Sequence, residues 1–200
     1  MNYGRYKKTR NAAWQCLIDY NIDSFPVNVS KIARESGVKV IRNSDVNLLK
    51  PNENGKSYFD GQTWFLIYDD TNDPVVSRFT IAHELGHFFL GHAYTCAKYA
   101  DYDDKGKKPK AEEQADAFAL RLLCPACVLK DLNIASAEDV AKYCRVPIEW
   151  AEKRYVRLKE LKEIDKFFMN PLEREVYDNF IEYLKLVNRK SKNKNRPLGR

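Results

Sequence analysis

No stretch of this 200-residue sequence approaches the roughly 18 consecutive apolar residues that a membrane-crossing helix needs. Behind the basic N-terminal run of residues 1–10 no apolar segment follows, so the pattern of a secretory signal peptide is missing as well. Cysteine is limited to five, Cys16, Cys96, Cys124, Cys127 and Cys144, an odd number without regular spacing. That excludes a disulfide framework and fits reduced thiols in a cytoplasm. Cys124 and Cys127 have thioredoxin-like spacing, but they end a helical pattern and follow no βαβ unit, so they read as packing thiols. Acidic residues are absent from 185–200, where seven Lys or Arg account for the formal net charge of +6. The remainder is near neutral, so the basic balance says little about the body of the protein. A composition 44% hydrophobic excludes a long disordered chain and suffices for the core of one domain of ordinary size.

Chemistry enters at residues 77–92, Ser-Arg-Phe-Thr-Ile-Ala-His-Glu-Leu-Gly-His-Phe-Phe-Leu-Gly-His. His83 and His87 are four apart, so on a helix they lie about 40° apart and one turn above each other, and both imidazoles reach one metal ion. Glu84 is rotated about 100° from His83, which suits a carboxylate that takes a proton from the attacking water rather than binding the metal. Asp73 before Pro74 is an N-cap followed by a first-position proline, and Gly91 is a stop, so a helix is predicted over 74–90. Phe79, Ala82, Gly86 and Phe89 form its buried stripe. Gly86 costs about 1 kcal/mol in a helix interior, and its use is close backbone approach to a neighbour.

A third protein ligand is needed to complete such a site. His92 is excluded on the assumption of a continued helix, where it points about 180° away from His83, and it is read as a helix-end histidine. The metzincin pattern fails because Leu90 and Ala93 stand where it needs Gly and His. Residues 111–125 form a second amphipathic pattern with an acidic first turn. Within it Glu112 and Asp116, one turn apart, supply a ligand and an acceptor for the free N–H of a ligating histidine. Glu113 competes with Glu112 for the ligand position.

Taken together, Arg-Phe-Thr-Ile-Ala-His-Glu-Leu-Gly-His, then Glu-x-x-Ala-Asp-x-Phe-Ala about 25 residues on, then Leu-Leu-x-Pro, resemble the ImmA/IrrE family of zinc metallopeptidases. The resemblance covers about residues 10–160, with Cys124 where the family often has Met. It implies that His83, His87 and Glu112 bind Zn²⁺, that Glu84 is the catalytic glutamate and that Asp116 assists. It further implies a protein substrate, a helix-turn-helix repressor of a mobile element or stress response, and a strand edge near the site that aligns the peptide by main-chain pairing.

The rest of the chain reads in order as a helix over 5–20, with Ala13, Cys16, Leu17 and Tyr20 on one side, a capped helix over 28–37 and a strand at 38–41. Residues 42–55 read as a loop. Ser57 to Tyr68 reads as a hairpin with a two-residue Asp60-Gly61 turn, its second strand beside the metal helix. Residues 94–110 read as a connector whose Tyr94, Tyr99 or Tyr102 are candidates to polarise a scissile carbonyl. Residues 136–161 look like a helix-turn-helix, but Glu149, Glu152 and Glu160 among Lys153, Arg154, Arg157 and Lys159 make a poor surface for phosphates, so no specific nucleic-acid binding is expected. Asn170-Pro171 opens a helix to about Leu186, and the basic tail is expected to be disordered.

These readings converge on an α+β fold with a small antiparallel or mixed sheet, an active-site helix, a second ligand-bearing helix and a helical C-terminal part. The metallopeptidase domain is expected over 1–161, and a C-terminal helix and tail over 162–200. The expected activity is that of a cytoplasmic zinc metallopeptidase. Two other readings are a zinc-stabilised module that inactivates a repressor by binding it, and a DNA-binding regulator.

Overall fold

A computed structural model describes residues 3–92 and 110–194, with side chains over 8–92 and 110–190. The element order is α1 (Tyr3–Asp19), α2 (Val29–Glu35), β1 (Val38–Arg42), α3 (Asn43–Val46), β2 (Gly55–Phe59), β3 (Trp64–Tyr68) and α4 (Pro74–Phe89). There follow α5 (Lys110–Leu123), α6 (Ala126–Leu129), α7 (Ala137–Cys144), α8 (Ile148–Glu163), α9 (Pro171–Asn179) and α10 (Ile181–Lys194). This is an α+β fold. Its sheet is mixed, in the order β1-β3-β2, with β1 parallel and β2 antiparallel to β3. The connector at 94–109, with its three tyrosines and Cys96, lies outside the described residues.

Local chemistry explains the boundaries of α4. Asp73 accepts from the Val75 N–H at 2.7 Å and Pro74 occupies the first turn. At the other end Gly91 adopts φ +70°, its N–H donates to the Phe88 carbonyl, and the His92 N–H donates to the His87 carbonyl at 2.9 Å. That pair of bonds is a Schellman motif, which needs a left-handed residue and so favours glycine.

α4 lies against β2 and β3 on one side and against α5 on the other. Both contacts depend on a missing side chain. A Cβ on Gly86 would stand 3.1 Å from the Ala115 Cα and 3.2 Å from the Ala115 carbonyl oxygen, so this glycine does serve close approach of the α4 and α5 backbones. A Cβ on Gly55 would meet the Thr80 methyl at 2.3 Å, so β2 seats on α4 only with glycine there. Val38, Trp64 and Leu66 from the sheet share one core with Phe79, Leu85, Phe118 and Leu122.

The structure departs from expectation in several short-range features. The hairpin loop holds four residues rather than two, because the Asp60 carboxylate accepts from the Gln62 and Thr63 N–H groups and so closes a wider turn. α3 interrupts the expected loop, capped by Asn47 at φ +52°. The C-terminal helix is broken at Phe180 into α9 and α10, and α10 runs to Lys194, well into the stretch expected to be disordered. Leu184 and the half-buried Val187 tie its first half to the core, and a helix propagates cheaply from an anchored turn. Cys16, Cys124, Cys127 and Cys144 are free and buried. No described helix is long and apolar enough to cross a membrane.

Candidate metal centre

α4 brings His83, Glu84 and His87 together, with ligand atoms of all three within 4.8 Å of one another. α5, held close by Gly86, adds Glu112 and Asp116. One Glu112 oxygen lies 3.1 Å from His83 Nε2 and the other 3.2 Å from His87 Nε2, and the two Nε2 atoms are 3.1 Å apart. Two imidazole nitrogens and a carboxylate at such spacing suit one small ion, since tetrahedral bonds of about 2.0–2.1 Å place ligand atoms about 3.3 Å apart. Glu84 is the poorer third ligand, because Ser57 Oγ donates to its Oε2 at 2.5 Å. Glu113 is exposed and touches neither imidazole.

The imidazoles are oriented from behind. His83 Nδ1–H donates to Asp116 Oδ1 at 2.9 Å, which leaves the Nε2 lone pair facing Glu112 and His87. His87 Nδ1 lies 3.1 Å from His92 Nδ1, and His92 Nε2 lies 2.9 Å from Gln114 Oε1. A single proton pattern satisfies both bonds and frees the His87 Nε2: His87 Nδ1–H donates to His92, and His92 Nε2–H donates to Gln114. His92 therefore does not point away from the site, as a continued helix would require. The left-handed Gly91 turns the chain back and lays the His92 ring against His87, centroids 5.1 Å apart.

Ionisation follows the same contacts. Burial alone would depress His83, but its bonds to Asp116 and Glu112 and the charge of Glu84 outweigh it and raise the pKa to about 9. Bonds from His83 and His87 hold Glu112 well below the usual carboxylate range. Burial is the main cause that lowers His92, against the bond to Gln114, so this ring stays neutral.

Ser57 and His92 are the contacts that the sequence reading missed. Ser57 had a signal. In the alternation of β2 it pairs with Leu66, which is 1% exposed, so it is a polar residue on an inward-facing position. The cluster opens into a cavity of about 320 Å³ that reaches from Glu112 and Glu84 to Pro147, Glu149 and Trp150 at the start of α8. α8 is thereby part of the site wall, and its buried Arg154 is turned inward, donating to the Cys124 carbonyl at 2.6 Å.

A family model described as the IrrE N-terminal-like domain, Peptidase_M78, matches residues 33–155, a span that contains every residue of the cluster and ends within α8. No curated protein matches the chain.

Proposed function

The chain belongs to the IrrE N-terminal-like peptidase family, and we propose that it is a zinc-dependent peptidase that hydrolyses a peptide bond in a protein substrate. The observation that carries this reading is the triangle of His83 Nε2, His87 Nε2 and the Glu112 carboxylate, 3.1–3.2 Å on each side, opening into the same cavity as Glu84. Two imidazoles and a carboxylate are a donor set suited to zinc with a position left open. Zinc held there supplies a Lewis acid, which lowers the pKa of water and polarises a carbonyl.

The chain's own residues do the rest. Glu84 takes the proton of the attacking water and returns it to the leaving amine, so water attacks directly and no acyl-enzyme forms. Ser57, by donating to Oε2, fixes the carboxylate and leaves its other oxygen for the proton. Asp116 and His92 hold the ligating rings in register. Among the described residues β2 pairs with β3 along one edge only, and its Gly55 lies against Thr80 and Glu84, so its other edge is the place for an extended substrate to add by main-chain pairing. Family resemblance supports a helix-turn-helix repressor of a mobile element or stress response as the substrate. The free, buried cysteines fit a reducing cytoplasm.

Glu84→Gln tests the reading, because it keeps shape and spares the proposed ligands. Incubated with a candidate repressor, the wild type yields fragments and the variant loses activity by about 10²–10⁴-fold while still holding zinc. Binding of repressor by both forms, with release from its DNA and no cutting by either, would establish a binder in place of an enzyme.

A further inference from the structure

The cavity extends well beyond the reacting groups, and its far half differs in kind. Val76 and Phe79 from α4 and Pro147 and Trp150 from the start of α8 form an apolar wall. Trp150 is fixed edge-on to this space. Phe79 stacks on one face with centroids 4.4 Å apart and 19° between planes, and the Lys153 ammonium stands 3.8 Å above the ring, which leaves it the opposite face. The same cavity is lined by Glu149, on the first turn of α8.

The charges lining this cavity are lopsided. It has no lysine or arginine among its described residues. Glu84, Glu112 and Asp116 are each engaged, by Ser57, by the two imidazoles and by His83 respectively. Glu149 has no hydrogen-bond or ion-pair partner among the described residues, although Lys153 lies one helical turn away and turns to Trp150 instead. Apolar lining together with a carboxylate that has no partner among the described residues matches a side chain with a long aliphatic stem and a cationic head.

We infer that the space between α4 and the first turn of α8 is a subsite for a lysine or arginine flanking the scissile bond, with its stem along Val76, Phe79, Pro147 and the Trp150 edge and its charge at Glu149. This rests on the peptidase reading and adds a preference to it. Aliphatic residues of similar length rank next, and acidic residues are refused by Glu149 and the cluster together.

The test is cleavage-site profiling of the full chain with zinc, on a synthetic peptide library in which Lys, Arg, Leu, Asp and Glu occur equally at every internal position. One fixed position beside the cut carries Lys or Arg in excess over Leu for the wild type. Glu149→Gln lowers that ratio about threefold, the scale of one rim charge pair, and Glu149→Lys shifts the position toward Asp and Glu. A ratio unchanged by Glu149→Gln overturns the subsite. A second readout is independent of turnover: the indole N–H resonance of Trp150, one of three tryptophans, is followed while Nα-acetylarginine methylamide or its norleucine counterpart is added. Tighter binding of the arginine probe, lost in Glu149→Gln, supports the subsite even if no cleavage depends on Glu84, in which case the peptidase reading alone falls. Equal binding of the two probes by the wild type refutes the subsite.

Discussion

The α4–α5 pair and the α9–α10 pair are both packed into the molecule, yet they bury opposite things. Between α4 and α5 the backbones close on Gly86 and Ala115, and the protected space nearby goes to Glu84 and His87, 7% and 8% exposed. Around α9 and α10, apart from the one buried carboxylate of Glu173, the space goes to Val176 and Phe180, both fully buried, with the Phe180 ring 5.2 Å from that of Phe25 and Phe25 edge-on to Tyr183. Polar groups in a low-dielectric place cost stability unless satisfied, and Glu84 and His87 are each satisfied by a partner that also aims them. Aromatic packing has no such second use. The contrast separates the region whose side chains are set for chemistry from the region that holds the fold, and mutations should divide accordingly.

The largest effect on the holding side is expected at Phe180. Phe180→Ala leaves a cavity where Phe25 and Tyr183 now pack, and such truncations cost about 3–5 kcal/mol. The denaturant midpoint should fall accordingly, while the folded fraction keeps its zinc and its cleavage rate. Loss of zinc in step with stability would merge the two regions into one.

A smaller free-energy change, but a sharper division, belongs to the ligand side. Glu112→Gln should weaken zinc by more than about 100-fold, whereas Glu113→Gln, on an exposed carboxylate with no contact to either imidazole, should leave metal content unchanged. Neither should move the denaturant midpoint of the metal-free protein as far as Phe180→Ala does, because the Glu112 side chain is 38% exposed and its ion pairs are screened. Metal analysis that shows full zinc in Glu112→Gln and loss in Glu113→Gln would reverse the assignment.

What the sequence made legible is local. Asp73-Pro74 and Gly91 bound α4 to within a residue because caps are short-range chemistry, and Gly86 announced a close approach because a glycine in a helix interior has a cost that needs a reason. The parallel pairing of β1 with β3 was not legible, since the partner is the far strand of the hairpin, beyond α3 and β2, and period-two patterning carries no direction. His92 was misread for a different reason. The angle of 100° per residue was applied past a residue that leaves the helix, and one left-handed glycine changes where every later side chain points. The break at Phe180 and the four-residue helix α6 have no strong cap in the sequence and are set by packing, whereas α3 buries no residue and is held by local bonds, Asn43 Oδ1 accepting from the Leu48 and Leu49 N–H groups beside left-handed Asn47.

α10 itself spans the boundary between what holds and what does not, so it gives the comparison its finest test. Its first turn is tied to the core by Leu184, which is 5% exposed, and by the half-buried Tyr183. Beyond that point Val187 alone among residues 185–190 packs on the core, and Leu186 is 56% exposed. Among the residues whose side chains are described, removing 187–200 therefore gives up one half-buried valine and three exposed residues, and the expected loss is less than about 1 kcal/mol. The truncated chain should unfold within about 3 °C of the full one and bind zinc alike, and its net charge should drop as the basic residues go. A melting temperature lowered as far as by Phe180→Ala would show that the helix to Lys194 supports the core through contacts its exposure does not suggest, and would move the edge of the holding region out to the end of α10.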